Sequence, residues 1–256
     1  MADSISFPAI REQEIEWGRR SGDIDESKLV TFAHPDLRTD RIFGKRDETA
    51  IKKRKVVILL DMSGSMSGSK LHEASEIVRL LVEGFRELHL DHTQLHVWGH
   101  TGDGCGHGDH VRLVKILVDG VDEMEHTLHC HHSSMLGNNY DGQAIHELMQ
   151  REVADGTDPS DMTLLVVSDG RPSANGMGYG RCQVGMAHTR LMVDEWTNKG
   201  VRVYGIGILN AFSQSTANLL YGRNNCKVLP DVASGLTLLC EAIRESLMLS
   251  ALQDVG

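Results

Sequence analysis

Three short stretches hold the side chains best suited to do chemistry. The first is Asp61-Met62-Ser63-Gly64-Ser65, a carboxylate and two hydroxyls on alternate positions. The second is Asn139-Tyr140-Asp141-Gly142, and the third is Ser168-Asp169-Gly170. Asp61, Ser63, Ser65, Asn139, Asp141 and Asp169 all offer hard oxygen donors, which suit Mg²⁺ or Mn²⁺ better than zinc or copper. Asp and Ser are also ordinary turn residues, so the first stretch alone reads equally well as a structural turn. Three such stretches meeting at one place would make a metal site.

What must bring them together is a set of strands and helices. Lys55-Val56-Val57-Ile58-Leu59-Leu60 is a short apolar run, rich in β-branched residues, directly before Asp61. Such a run reads as a strand buried on both faces of a parallel sheet, and its C-terminal end is where open α/β sheets bind ligands. Residues 162–167 repeat the pattern ahead of Ser168 and Asp169. Leu71, Ala74, Val78, Leu81, Phe85 and Leu88 recur at helical spacing after the first loop, and Ile145, Leu148, Met149 and Val153 do so after the second. Further strands are expected at 95–98, 111–117 (as an edge strand), 201–208 and 227–229. Helices are expected around Met186, Thr189, Val193 and Trp196, stopping at Asn198-Lys199-Gly200, then at 213–221 and 232–252. This alternation predicts an α/β fold: a doubly wound, mostly parallel, Rossmann-like sheet with helices on both faces. The domain would run from 55 to 256. Residues 1–54 would be an N-terminal arm, with a short helix near 27–33 and the basic run Lys52-Lys53-Arg54-Lys55. That run reads as the solvated start of the first core strand, or as a docking patch for an acidic partner.

Taken together, Asp61-x-Ser63-x-Ser65, Asn139-Tyr140-Asp141-Gly142-x-Ala144 and Val167-Ser168-Asp169-Gly170 resemble the metal-ion-dependent adhesion site of von Willebrand factor A (vWA) domains. More narrowly they resemble the C-terminal domain of the aerobic cobaltochelatase T subunit and the vWA proteins that work beside MoxR-type AAA+ ATPases. The likeness extends to Ser21-Gly22-Asp23-Ile24-Asp25, to Arg41-Ile42-Phe43-Gly44-Lys45-Arg46 and to Trp98-Gly99-His100-Thr101. It implies a Mg²⁺ held by Ser63, Ser65 and a residue of the second loop, with Asp61 and Asp169 close behind. In that subgroup an N-x-D-G loop stands where most vWA domains carry a metal-binding threonine, so either Asn139 or Asp141 would face the ion. A partner's Asp or Glu would complete the metal's shell.

Composition narrows the field further. The 256 residues carry a net charge of −10, which disfavours general nucleic-acid binding. No stretch approaches the ~20 apolar residues of a membrane span, and Met1-Ala2-Asp3-Ser4 opens no signal-peptide core. Five irregularly spaced cysteines suit free thiols in a reducing compartment, so a cytoplasmic protein is expected. Cys105, His107, His110, His129, Cys130, His131 and His132 form a soft-ligand cluster whose spacing matches no zinc motif. The glycine-rich stretch from Gly102 to Gly108 is no phosphate loop, because no G-K-[ST] follows it. Neither Ser63 nor Ser65 lies in a G-x-S-x-G turn, so no hydrolase and no catalytic residue is expected. Three functions remain: a metal-dependent interaction module serving an AAA+ ATPase, a subunit of an ATP-dependent metal chelatase, and a structural component of a particle.

Overall fold

The computed structural model describes residues 15–19, 23–24, 43–46, 54–87, 93–102, 110–118, 121–124, 137–170, 172, 182–208 and 213–229. The chain divides into two units, Met1–Lys52 and Lys53–Gly256. The first holds three short strands, β1 (Ile15–Arg19), β2 (Asp23–Ile24) and β3 (Phe43–Arg46), antiparallel in the order β1-β3-β2. The sequence reading expects an arm without strands here. Runs of two to five residues hold too few alternations to register as a period. The helix expected near 27–33 lies outside the described residues.

The second unit is built on a seven-stranded sheet. Its strands are β4 (Arg54–Asp61), β5 (Thr93–Gly102), β6 (Val111–Val118), β7 (Val121–Asp122), β8 (Met162–Ser168), β9 (Arg202–Ile208) and β10 (Cys226–Leu229). The order across the sheet is β10-β9-β8-β4-β5-β6-β7. From β10 to β5 every pairing is parallel, while β6 and β7 run antiparallel to their neighbours. Residues 111–117, expected at the sheet edge, have the two-residue β7 outside them.

The apolar run of β4 sits at the middle of the sheet because both of its faces are covered. Val56, Ile58 and Leu60 pack with Leu71, Ala74, Ile77, Val78, Leu81 and Val82 of helix α1 (Ser69–Glu87). Val57 and Leu59 point the other way. They meet Ala144, Ile145, Leu148 and Met149 of α2 (Asp141–Ala154), and Val193 and Trp196 of α3 (Cys182–Asn198). Each such aliphatic side chain contributes about 1.5–3 kcal/mol on burial, so neither face can be left uncovered. Helix α3 ends at Asn198, and Gly200 turns the chain with φ 105°, a conformation few other residues adopt. A short helix α4 (Gln214–Tyr221) is capped by the Ser213 side chain, which accepts from the Thr216 amide. The helix expected at 232–252 lies outside the described residues. Among the described residues no helix is long and apolar enough to cross a membrane.

The two-residue period of the strands decides what α2 meets. Lys55, Val57, Leu59 and Asp61 of β4 face α2 together, and His96, Trp98 and His100 do the same on β5. Both rows are apolar in the middle and polar at the ends. At the lower end Glu152 of α2 collects four contacts. Lys55 Nζ reaches it at 3.0 Å, Trp98 Nε1 donates to it at 2.7 Å, and His96 Nδ1 lies 2.8 and 3.1 Å from its two oxygens. Lys55, read from the sequence as part of a solvated or docking run, is therefore buried, and its charge is spent inside the protein.

Candidate metal centre

The upper ends of the same rows carry the residues singled out by their chemistry. β4 and β5 are in register so that Asp61 stands beside His100, and Leu60 stands beside Val167 of β8. Ser63 and Ser65 follow on the loop after β4, Ser168 and Asp169 end β8, and Asp141 opens α2. All three loops thus reach one edge of the sheet. Main-chain hydrogen bonds tie the loop after β4 and the segment before α2 to each other and to the end of β5: Met62 N to His100 O at 2.8 Å, Gly64 N to Gly137 O at 2.8 Å, and Gly102 N to Asn138 O at 2.7 Å.

Asp61 is the hub, and it is fully buried. Its Oδ1 accepts the Ser63 amide at 2.8 Å, and its Oδ2 accepts both Asn139 Nδ2 and Ser168 Oγ at 2.8 Å. On the solvent side, Ser63 Oγ and Ser65 Oγ lie 3.2 Å apart, and Ser65 Oγ donates to Asp169 Oδ1 at 2.9 Å. Asp169 Oδ2 takes Lys70 Nζ at 2.5 Å. Asn139 has both ends of its amide engaged, since its Oδ1 accepts the Asp141 amide at 3.0 Å. Asp141 differs from all of these. Its carboxylate is buried, and neither of its oxygens accepts a hydrogen bond from any described residue.

His100 Nε2 lies 3.2 Å from Asp141 Oδ1, an ion pair when the imidazole is protonated. Asp61, His100 and Asp141 each place one ligand-capable atom within 4.8 Å of the others. Burial pushes the Asp61 carboxyl up to about 6, Asp141 adds to the rise and His100 opposes it. Burial works hardest against a charge on His100, yet Asp141 and Asp61 outweigh it and raise that imidazole above its ordinary range. Two buried carboxylates that share a single histidine as their positive neighbour make a place suited to a further cation. With the Ser63, Ser65 and Asp169 oxygens alongside, this donor set fits a divalent ion.

His100, Ser168 and Lys70 were not among the residues picked from the sequence. His100 lies in Trp98-Gly99-His100-Thr101, a stretch marked only by the family resemblance. The signal that finds it is its place four residues after His96 on one strand face, two positions before the strand end. Ser168 stands directly before Asp169, and its hydroxyl braces Asp61. Among the soft-ligand cluster only His110 is described, and it is exposed; the other six lie outside the described residues.

No family model and no curated relative matches this chain. Solved structures do. Proximal thread matrix protein 1 from the mussel byssus, in a structure with a zinc-occupied MIDAS motif, is 16% identical with a TM-score of 0.52, over 75% of this chain and 47% of that one. Manganese-loaded Plasmodium vivax TRAP is 13% identical with a TM-score of 0.53, over 75% of this chain and 74% of that one. The pilus adhesin SpaC of Lactobacillus rhamnosus GG, in its open conformation, is 13% identical with a TM-score of 0.55, over 78% and 30%. The fold is the von Willebrand factor A fold. At these identities the likeness is one of fold. The chain spans about half the length of the first solved structures it matches.

Proposed function

We propose that this chain is a metal-dependent protein-interaction module. A divalent ion, Mg²⁺ or Mn²⁺, is held at the sheet edge by Ser63, Ser65 and Asp141, with Asp61 and Asp169 supporting them. There it captures an Asp or Glu carboxylate of a partner protein. The observation that carries the reading is the buried Asp141 carboxylate, which accepts no hydrogen bond from the described residues. Asn139 is the brace of that loop, because its amide is committed at both ends. The ion supplies a positive centre that keeps exchangeable waters, one of which an incoming carboxylate can replace. Without it, Asp61, Asp141 and Asp169 would repel that carboxylate.

Neighbours with a zinc-occupied MIDAS motif and with bound manganese support a divalent ion in this fold. The sequence resemblance makes a MoxR-type AAA+ ATPase the partner, with this chain as its adaptor in the cytoplasm. ATP turnover would belong to the partner, since the 256 residues contain no P-loop sequence. A structural or adhesive role is the second reading, favoured by likeness to a thread matrix protein and a pilus adhesin.

The test is a pull-down with the wild-type chain and Ser65→Ala, each in Mg²⁺ and in EDTA, read by mass spectrometry. Ser65 is exposed, so the substitution leaves the core untouched. A partner retained by wild type in Mg²⁺ alone supports the reading. One held equally in all four samples overturns it.

A further inference from the structure

Lys70 is in the wrong place for its own helix. It stands in the first turn of α1, where the exposed amides and the helix dipole favour an anion, and that turn holds no acidic residue. Two contacts hold it there. Its Nζ meets Asp169 Oδ2 at 2.5 Å and the Ser65 carbonyl at 3.2 Å. Asp169 is almost completely buried while Lys70 is one-third exposed, so a partly wetted cation neutralises a buried anion. The other oxygen of the same carboxylate accepts the Ser65 hydroxyl, which lies 3.2 Å from that of Ser63. One ammonium therefore sits against the group that leads directly into the oxygen donors of the metal centre.

We propose that Lys70 is a built-in cation that competes with the metal for Asp169 and thereby sets the metal affinity of the site. This rests on the metal reading given above. In the absence of an ion, Lys70 keeps Asp169 compensated. A divalent ion entering among Ser63, Ser65 and Asp141 meets a positive charge already on Asp169, and the two repel each other. The consequence is a site of lowered affinity, which fills only when metal is plentiful or when a partner's carboxylate adds the charge that favours it. A lysine at the second residue of this helix is thus a determinant of affinity, as well as one half of an ion pair.

The experiment titrates Mn²⁺ into the wild-type chain, Lys70→Met and Lys70→Arg, following free Mn²⁺ by electron paramagnetic resonance at low and high salt. Lys70→Met should bind about tenfold more tightly, from the loss of one unit charge close to a divalent ion in a partly solvated site. Lys70→Arg should stay within about threefold of wild type. The gap between wild type and Lys70→Met should narrow as salt rises. Melting curves give a second readout. Lys70→Met should be less stable than wild type in EDTA, where Asp169 has lost its counter-charge, and should gain more from saturating Mn²⁺. Wild-type binding with equal or weaker binding by Lys70→Met would overturn the proposal and leave Lys70 a structural ion pair. Absence of Mn²⁺ binding in all three chains would overturn the metal reading itself, and this proposal with it.

Discussion

Asp141 and Glu152 are buried carboxylates near opposite ends of one helix, roughly 16 Å apart along its axis, and their surroundings are opposite. Glu152 is met by Lys55, His96 and Trp98. Asp141 accepts no hydrogen bond from a described residue. The same two strands supply both environments from one face. The lower carboxylate is completed by the fold, while the upper one shares a single histidine, His100, with the neighbouring Asp61.

Glu152→Ala should destabilise the protein by about 3–5 kcal/mol, because it leaves the Lys55 ammonium buried without its partner. The effect should depend on pH. Burial raises the Glu152 carboxyl, but hydrogen bonds from His96 and Lys55 outweigh it, and the net shift is downward. A depressed carboxylate stabilises above its unfolded pKa, about 4.3, and loses that contribution as pH falls through the folded value. Urea unfolding of wild type and Glu152→Gln should therefore show a gap at pH 7 that closes in acid.

Asp61→Ala should lower stability by about 2 kcal/mol or more. Asp61 is fully buried and accepts from Ser63, Asn139 and Ser168. Alanine leaves those three donors unsatisfied. Denaturant melts with and without Mn²⁺ should show both the loss and the disappearance of any metal response.

Gly142→Ala should weaken metal binding by moving Asp141. A Cβ on Gly142 would come within 2.9 Å of His188 Nδ1 and of the Thr189 amide nitrogen on α3. The backbone side of that contact cannot swing away, so the start of α2 must shift, at a cost of about 1–3 kcal/mol. A melting curve and a Mn²⁺ titration on one sample check both effects.

Saturating Mn²⁺ should raise the melting temperature of the wild-type chain, and EDTA should reverse the rise. An ion that binds only the folded state stabilises by about 2.7 kcal/mol at a hundredfold excess over its dissociation constant. Ser65→Ala should show a smaller rise at equal concentration.

The parts legible in the sequence are those written locally. The runs that became β4 and β8 are uniformly apolar and end in carboxylates, so their centrality and the position of Asp61 and Asp169 could be read directly. Glu152 was hidden because a charged residue on a helix is ordinarily assigned to its solvent face. Lys55 was hidden inside a basic run for the same reason. Lys55 meets Glu152 across 97 positions, and His96 and Trp98 meet it from a third segment, so no local window contains the group. His100 depends on the register of β4 with β5, and Lys70 on the separation of Asp169 from the helix it meets. The choice between Asn139 and Asp141, open in the sequence, turns on which side chain the surrounding donors and acceptors engage.

The main-chain bonds Met62–His100, Gly64–Gly137 and Gly102–Asn138 join the loop after β4 and the segment before α2 to each other and to the end of β5 without using a single side-chain donor of the site. Their conformational entropy is therefore surrendered when the protein folds, before any ion arrives. Binding then reorganises water and charge far more than it reorganises chain. Its calorimetric signature should be dominated by ion dehydration, with little change in amide hydrogen exchange along the loops. The centre is shaped in advance as a rigid mould, and what remains adjustable in it is the electrostatic balance among a few side chains.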